Sequence, residues 1–332
     1  MKDTEPRLLV IQVPSFNEAA TLPATLSDLP TSMDGFDVVE WLVIDDGSSD
    51  ETAVVARESG AHHITRHPVN RGLSAAFMSG LDTAIARGAS VIVNTDADNQ
   101  YDARDIQALV EPILSGRADM VIGARPIATT DHFSVFKKAL QRIGSWVVRL
   151  ASGTAVADAP SGFRAFSRDA AARLNVFNDY TYTLETIIQA GRSNLRVVSV
   201  PIRTNPDLRP SRLVKSIPRY VWRSAITIIR IFATYRPMLL FVIVALAFLA
   251  ISLASGGWYL YWKFMGEGTG HVQSAILAMG SGTIAFFTMM LGFVADLVGV
   301  NRRLLERIVY QSRMARFEQR GDTPPASNGS PE

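Results

Sequence analysis

Along its first 125 residues the chain alternates short, almost wholly apolar runs with longer stretches whose apolar residues recur every three or four positions. Apolar runs bounded by turn formers read as buried strands, and the longer periodic stretches as helices. The pattern predicts strands over Leu8–Val13, Val39–Ile44, Ala61–Thr65, Ala89–Thr95 and Met120–Ile122. Helices are predicted over Glu18–Asp28, Asp50–Ser59, Gly72–Ala86 and Ala103–Leu114. Such alternation is the mark of βαβ units and a mainly parallel, Rossmann-like α/β sheet. A further helix is expected over Phe133–Leu150, and Asp158–Arg203 reads as a less regular α/β annex. No internal repeat is present.

The pattern changes character near residue 211. On a helical wheel Arg212, Lys215, Arg219, Arg223 and Arg230 share one narrow sector, with Leu213, Val214, Ile217, Val221, Ile228 and Phe232 opposite. Pro218 splits the stretch into two helices. A basic amphipathic helix of this kind lies well at a membrane surface. Met238–Trp262 and Val272–Ala295 then carry no charge. About 20 apolar residues suffice to span a bilayer, so the two form a transmembrane hairpin. Arg230 and Arg236 precede it, Arg302, Arg303 and Arg307 follow it, and its loop holds one lysine, Lys263. By the positive-inside rule both flanks face the cytoplasm.

The expected organisation is therefore a cytoplasmic catalytic domain over 1–210 and amphipathic juxtamembrane helices over 211–236. Two transmembrane helices follow within 237–300, at about 238–262 and 272–296, and then a basic cytoplasmic tail over 301–332 with a disordered end. The polar start Met1–Pro6 leads to no expectation of a signal peptide. Two spans leave room for self-association. Among the 332 residues the net charge is +2, which gives no general attraction to nucleic acid, and the lack of cysteine excludes disulfides and thiolate metal sites. His62, His63 and His67 are expected on an edge strand and its turn, without a metal role.

Candidate chemistry sits where predicted strands end. Asp96-Ala97-Asp98 follows the run Ala89–Asn94, and Asp45-Asp46-Gly47-Ser48-Ser49-Asp50 follows Trp41–Ile44. In open α/β sheets ligands bind outside the carboxyl ends of the strands. Two carboxylates there suit a hard cation, Mg²⁺ or Mn²⁺, shared with a diphosphate. Gly47 allows a positive φ and close approach of the backbone, and Asp50 can cap the helix that follows.

Four motifs in order, Pro14-Ser15-Phe16-Asn17-Glu18, Asp45–Asp50, Asp96-Ala97-Asp98-Asn99-Gln100 and Ser161-Gly162-Phe163-Arg164, resemble those of family-2 glycosyltransferases with the GT-A fold. The similarity covers roughly residues 7–236 and is greatest to the polyprenyl-phosphate branch, dolichyl-phosphate mannose synthases and bacterial undecaprenyl-phosphate glucosyltransferases. The resemblance implies that Pro14, Asn17, Glu18 and Asp46 hold the nucleoside. Asp98 would ligate the metal, with Asp96 contacting the ribose, the metal or both, and Gln100 as a metal or phosphate neighbour. Asp158 occupies the place of an active-site acid. A phosphomonoester acceptor is largely ionised at neutral pH, with its second pKa near ~6, so Asp158 reads as an orienting group before a general base. Arg125, Arg164 and Arg203 are candidate catalytic cations, and Arg209, Arg212 and Ser161 candidate ligands of the acceptor phosphate, because guanidinium groups pair with phosphate oxygens. Glu185 is a helical carboxylate that either touches the sugar or belongs to a structural pair.

The expected activity is inverting, metal-dependent transfer of a hexose from a nucleoside-diphosphate sugar, GDP-mannose or UDP-glucose, to a polyprenyl phosphate at the cytoplasmic membrane face. Another membrane lipid such as a diacylglycerol is the alternative acceptor, and a non-catalytic nucleotide-sugar-binding membrane protein the alternative role. The absence of a Gln-x-x-Arg-Trp motif and the small number of spans weigh against a processive polysaccharide synthase.

Overall fold

The computed structural model describes residues 6–126, 152–176, 182–206, 230, 233, 235–266 and 268–321. The expected helix over 133–150, the juxtamembrane helices of 211–229, Arg209, Arg212 and the tail beyond 321 lie outside the described residues. The chain divides into two units, one of residues 1–217 with 306–332 and one of residues 218–305.

The first unit is built on a seven-stranded sheet. Its strands are β1 (Leu8–Ser15), β2 (Val38–Asp45), β3 (His63–Arg66), β4 (Val91–Asn94), β5 (Met120–Ala124), β6 (Arg164–Ser167) and β7 (Val197–Pro201). Their order across the sheet is β3-β2-β1-β4-β6-β5-β7. The β1, β2, β3 and β4 ladders are parallel, as are β5 and β7, and β6 runs antiparallel between β4 and β5. β1 and β4 are buried along almost their whole length, which is why they read as unbroken apolar runs. β6 and β7 belong to the stretch read from sequence only as an irregular annex. β6 is four residues long and half of it is Arg164 and Ser167, so no periodicity announces it.

The helices of this unit are α1 (Leu22–Asp28), α2 (Thr52–Glu58), α3 (Leu73–Ala86), α4 (Ile106–Leu114), α5 (Arg168–Arg173) and α6 (Tyr182–Arg192). α3 packs its Phe77, Gly80, Leu81 and Ala84 face on β1 and β2. A polar seam runs beneath it. Gln12 Nε2 donates to Asn94 Oδ1 (2.8 Å), and Asn94 Nδ2 donates to the Gly162 carbonyl (2.8 Å) and the Tyr182 hydroxyl (3.0 Å). Tyr182 in turn stacks on Phe77 at 4.0 Å between centroids. The seam ties β1, β4, the turn before β6 and α6 to one another.

Two long helices follow, α7 (Pro237–Phe264) and α8 (Val272–Gly321). α7 and the first part of α8 are long and apolar enough to cross a membrane, and their surfaces are almost wholly unburied. Where they meet, small residues allow close approach: Ser252 Oγ donates to the Ala278 carbonyl (2.7 Å), and a Cβ on Gly282 would lie 2.9 Å from that Oγ. Helix α8 continues well past the expected end of the second span. Its portion beyond residue 306 belongs to the first unit, where Tyr310 donates to Asp169 (2.7 Å) and Arg313 pairs with Asp82 (2.7 Å) and donates to the Leu174 carbonyl (2.6 Å).

Replacing a helical glycine by alanine ordinarily stabilises by about 1 kcal/mol. At Gly80 the sign should reverse, because a Cβ would fall 2.3 Å from Gln12 Oε1 and 2.8 Å from Ile44 Cδ1. Gly80→Ala is expected to cost about 1–3 kcal/mol, read as a lowered urea midpoint at unchanged m-value.

Candidate active site

The loops after β1, β2, β3 and β4 converge at one end of the sheet around a cleft of about 290 Å³. Pro14, Glu18, Asp46, Asp96 and Asp98 line it, with Asn70 and Leu73 on the wall formed by the start of α3. The sequence motifs that end strands thus meet here, as the carboxyl-end rule requires. The Asn70–Leu73 wall was missed. Its sequence signal was the Asn70-Arg71-Gly72 turn between β3 and α3.

One side of the cleft is organised by Asp46. Its Oδ1 accepts from His67 Nδ1 (2.6 Å) and the Arg71 amide (2.9 Å), and its Oδ2 accepts from the Gly72 amide (2.8 Å). His67 is buried, and its Nε2 meets Ser79 Oγ at 2.9 Å. The carboxylate can only accept here, so Nδ1 carries the hydrogen. His67 lies in the turn after the edge strand β3, as expected, and there it also braces Asp46 against α3. His62 and His63 go elsewhere, to the Trp41 amide and to Glu40. Gly47 has φ +71°, and a Cβ there would fall 2.4 Å from the Val69 carbonyl carbon, so the turn and the 67–72 loop need glycine to meet.

Asn17 does not line the cleft. At φ +54° its Oδ1 accepts from the Ser49 amide (2.9 Å) and its own amide donates to Ser48 Oγ (3.0 Å), which stitches the first two loops together. Glu18 faces the cleft and accepts from the Thr21 hydroxyl (2.7 Å). Asp50 accepts from the Thr52 and Ala19 amides, but the N-cap position of α2 is Glu51 and not Asp50 as expected.

At the end of β4, burial first and the neighbouring Asp98 second push the Asp96 carboxyl up to about 6, with Arg125 and Arg164 opposing the shift. Desolvation and a neighbouring like charge both favour the protonated form. Among the described residues no three acidic or histidine side chains converge on one point, so substrate oxygens and water would complete a coordination shell begun by Asp96 and Asp98. A hard oxygen-donor pair of this kind fits Mg²⁺ or Mn²⁺. Gln100 stands outside the cleft lining, and its amide donates weakly to Asp98 Oδ1 (3.3 Å). The Ser161–Arg164 turn closes against Asp96: a Cβ on Gly162 would sit 2.8 Å from Asp96 Oδ1. Tyr101, stacked on Phe163 at 5.0 Å, accepts the Gly162 amide (3.0 Å) and hydrogen-bonds Asp96.

The arginines divide sharply. Arg125 grips Asp158 through two bonds, Nε to Oδ2 (2.7 Å) and Nη2 to Oδ1 (3.1 Å), and stays partly exposed. Burial opposes its charge, but Asp158, Tyr101 and Asp96 outweigh that and hold its pKa above the usual arginine value. Arg164 is wholly buried. It donates to the carbonyls of Ser161 (2.7 Å), Thr183 (2.8 Å) and Ala159 (2.7 Å) and to Thr186 Oγ1 (2.7 Å), and burial lowers its pKa to about 10. The expected phosphate contact is therefore corrected to a structural role, because the side chain is wholly buried and four of its five N–H donors are spent on the fold. Ser161 is likewise wholly buried and presents no surface to an acceptor. Arg203 is exposed but pairs with Asp105 (2.6 Å), outside the cleft. Glu185 is buried on α6.

The model of the family described as glycosyl transferase family 2 matches residues 10–174. An uncharacterized protein of Methanocaldococcus jannaschii is 33% identical over 203 residues, covering 59% of this chain and 81% of that protein. The chain belongs to glycosyl transferase family 2. The undecaprenyl-phosphate mannosyltransferase of Micrococcus luteus is 29% identical over 206 residues, covering 59% of this chain and 82% of that enzyme. Among solved structures, glucosyl-3-phosphoglycerate synthase from Mycobacterium tuberculosis, in complex with Mn²⁺, UDP and phosphoglyceric acid, superposes with a TM-score of 0.52 at 20% identity. That match covers 67% of this chain and 78% of the other. The sheet and its loops are those of a GT-A glycosyltransferase, and the protein is a glycosyltransferase.

The two halves of the motif set should separate experimentally. Arg164→Lys keeps the charge but reaches only part of a four-acceptor cage. It should cost on the order of 3 kcal/mol, measured by thermal unfolding, since each unsatisfied buried acceptor costs about 1–3 kcal/mol. Asp98→Asn relieves the like-charge pair, so it should leave the unfolding temperature unchanged or raised while Mn²⁺-dependent nucleotide binding is lost.

Proposed function

We propose that this family-2 glycosyltransferase moves a single hexose from a nucleoside-diphosphate sugar to a polyprenyl phosphate, with inversion, at the cytoplasmic membrane face. The observation that carries the reading is the Asp158–Arg125 pair beside Asp96. An alcohol acceptor needs a free carboxylate to take its proton, and Asp158 is instead held by both oxygens on a guanidinium. A phosphate acceptor arrives already ionised and needs a cation in place of a base. The Micrococcus luteus relative, named for undecaprenyl phosphate, supports the same acceptor class. Two helices apolar enough to cross a membrane, flanked by arginines, support a membrane-embedded enzyme whose catalytic unit and α8 end face the cytoplasm.

In this reading Glu18 and Asp46 hold the nucleoside, and Asp96 and Asp98 hold a divalent cation with the diphosphate. That cation, when bound, neutralises charge on the departing nucleoside diphosphate. A lipid phosphate oxygen attacks the anomeric carbon as the bond from that carbon to the diphosphate oxygen breaks, and the nucleoside diphosphate leaves with the electron pair. This reading assigns the acceptor phosphate to Arg125, which is partly exposed and whose plane Asp158 fixes. Arg209 and Arg212 remain candidates for the same phosphate.

The test is transfer of radiolabelled sugar from a panel of UDP- and GDP-sugars to undecaprenyl phosphate by full-length protein in detergent. The expected result is a chloroform-extractable product formed with Mn²⁺, absent with EDTA, and reduced about 100-fold or more in Asp98→Ala and Arg125→Ala. Undiminished transfer in EDTA, or product only with a neutral lipid acceptor, would overturn the reading.

A further inference from the structure

The loop after β4 carries Asp98 on a backbone whose carbonyls are held both before and after it in sequence. Just before it, the Ala97 carbonyl accepts from the Thr25 hydroxyl (3.0 Å). Just after it, a single residue takes three consecutive carbonyls. The Asn205 amide donates to the Gln100 carbonyl (2.9 Å), and Asn205 Nδ2 donates to the carbonyls of Asn99 (3.1 Å) and Tyr101 (3.3 Å). Asn99 Oδ1 lies 3.4 Å from the same nitrogen, so three oxygens fix which end of the Asn205 amide faces the loop. The turn held in this way is one that residues with a side chain rarely adopt, since Asn99 has φ +55°. Such a conformation persists only where its surroundings determine it.

Asn205 is anchored independently of the loop it holds. The Ile202 amide donates to the Ala124 carbonyl (3.0 Å), and the Arg203 amide and guanidinium each bond Asp105 at 2.6 Å. Pro206 follows and disfavours a helical backbone at Asn205. The strip after β7 is therefore a fixed rail, and the loop hangs from it. We propose that Asn205 is a positioning residue for the divalent cation, acting on Asp98 through the backbone of residues 99–101. This rests on the metal-dependent reading above and deepens it. Mg²⁺ and Mn²⁺ take hard oxygen ligands, and Mg²⁺ in particular tolerates little departure from its preferred geometry. Among the described residues no third carboxylate or imidazole joins Asp96 and Asp98, so a displaced Asp98 has no protein substitute. Affinity for the cation then depends on how firmly the loop is held, and partners behind a ligand commonly set it by 10–100-fold.

Titration of the full-length protein in detergent with Mn²⁺, once with UDP and once with GDP present, tests the assignment; bound metal is read from the loss of the free-ion paramagnetic resonance signal. Asn205→Ala removes the two side-chain bonds and keeps the backbone one, at a half-buried position that the fold tolerates. Its apparent Mn²⁺ dissociation constant is expected to rise about tenfold or more. Nucleotide affinity in EDTA and the unfolding temperature in EDTA are expected to stay at the wild-type values, which general damage to the fold would not allow. Asn205→Asp is the second arm. It keeps the shape but sets an acceptor against two carbonyls, while its added charge by itself would draw the cation closer. A raised constant in Asn205→Asp therefore reads the lost donor. An unchanged Mn²⁺ constant in Asn205→Ala, a parallel loss of metal-free nucleotide affinity, or a lowered constant in Asn205→Asp would overturn the inference. Failure of the metal reading itself is separately visible, as wild-type Mn²⁺ binding that is absent or indifferent to Asp98→Ala, and it would take the inference with it.

Discussion

Arg164 places a guanidinium where no water reaches it, and the ion survives there only because backbone and hydroxyl oxygens surround it. Stripping a charge of its hydration without replacing every lost hydrogen bond costs several kcal/mol. The cage therefore acts as a constraint in both directions. It holds the arginine, and the arginine in return pins the 159–161 turn, β6 and the start of α6 at fixed separations. Gly162 follows from that turn, and so does the spacing between Asp96, Tyr101 and Tyr182. Asp158, at the turn's other end, meets Arg125 because the turn is rigid. The Asp96 side of the cleft is thus positioned by a charge that is wholly buried.

The parts legible in the sequence were those fixed by local pattern. β1, β2 and β4 announced themselves because both faces of each are covered, leaving apolar runs that end abruptly in polar loops. The family motifs carried the fold type, since GT-A loops emerge from those same strand ends. What failed to show was whatever depends on partners far along the chain. Whether an arginine meets a phosphate or a carbonyl cage is decided, at Arg164, by Thr183 and Thr186, and at Arg203 by Asp105, 98 positions away. Neither choice leaves a trace in the local sequence. His67 looked incidental for the same reason: only the fold brings Asp46 and Ser79 to its two nitrogens.

Charge is shared closely between the ends of β4 and β5. Burial and the neighbouring Asp98 favour the protonated form of Asp96, while Arg125 and Arg164 oppose it. Arg125 in turn spends paired donors on Asp158 and keeps part of its side chain exposed. The acids and guanidiniums therefore set one another's charge state through space, although they come from separate loops.

The loop that follows β4 does not hang free of the sheet's opposite edge. After β7 the chain turns back so that the Asn205 amide donates to the Gln100 carbonyl (2.9 Å) and the Asn205 side chain reaches the Asn99 carbonyl (3.1 Å). Tyr101 bridges Thr204 beside them. The Asn70–Leu73 wall, by contrast, is anchored through β2, β3 and α3 at the other edge. The two walls are still tied across the middle of the sheet, where Phe77 of α3 stacks on Tyr182 and the Thr25 hydroxyl donates to the Ala97 carbonyl (3.0 Å). A displacement of either wall is therefore felt at the other, and the cleft keeps its width as one frame.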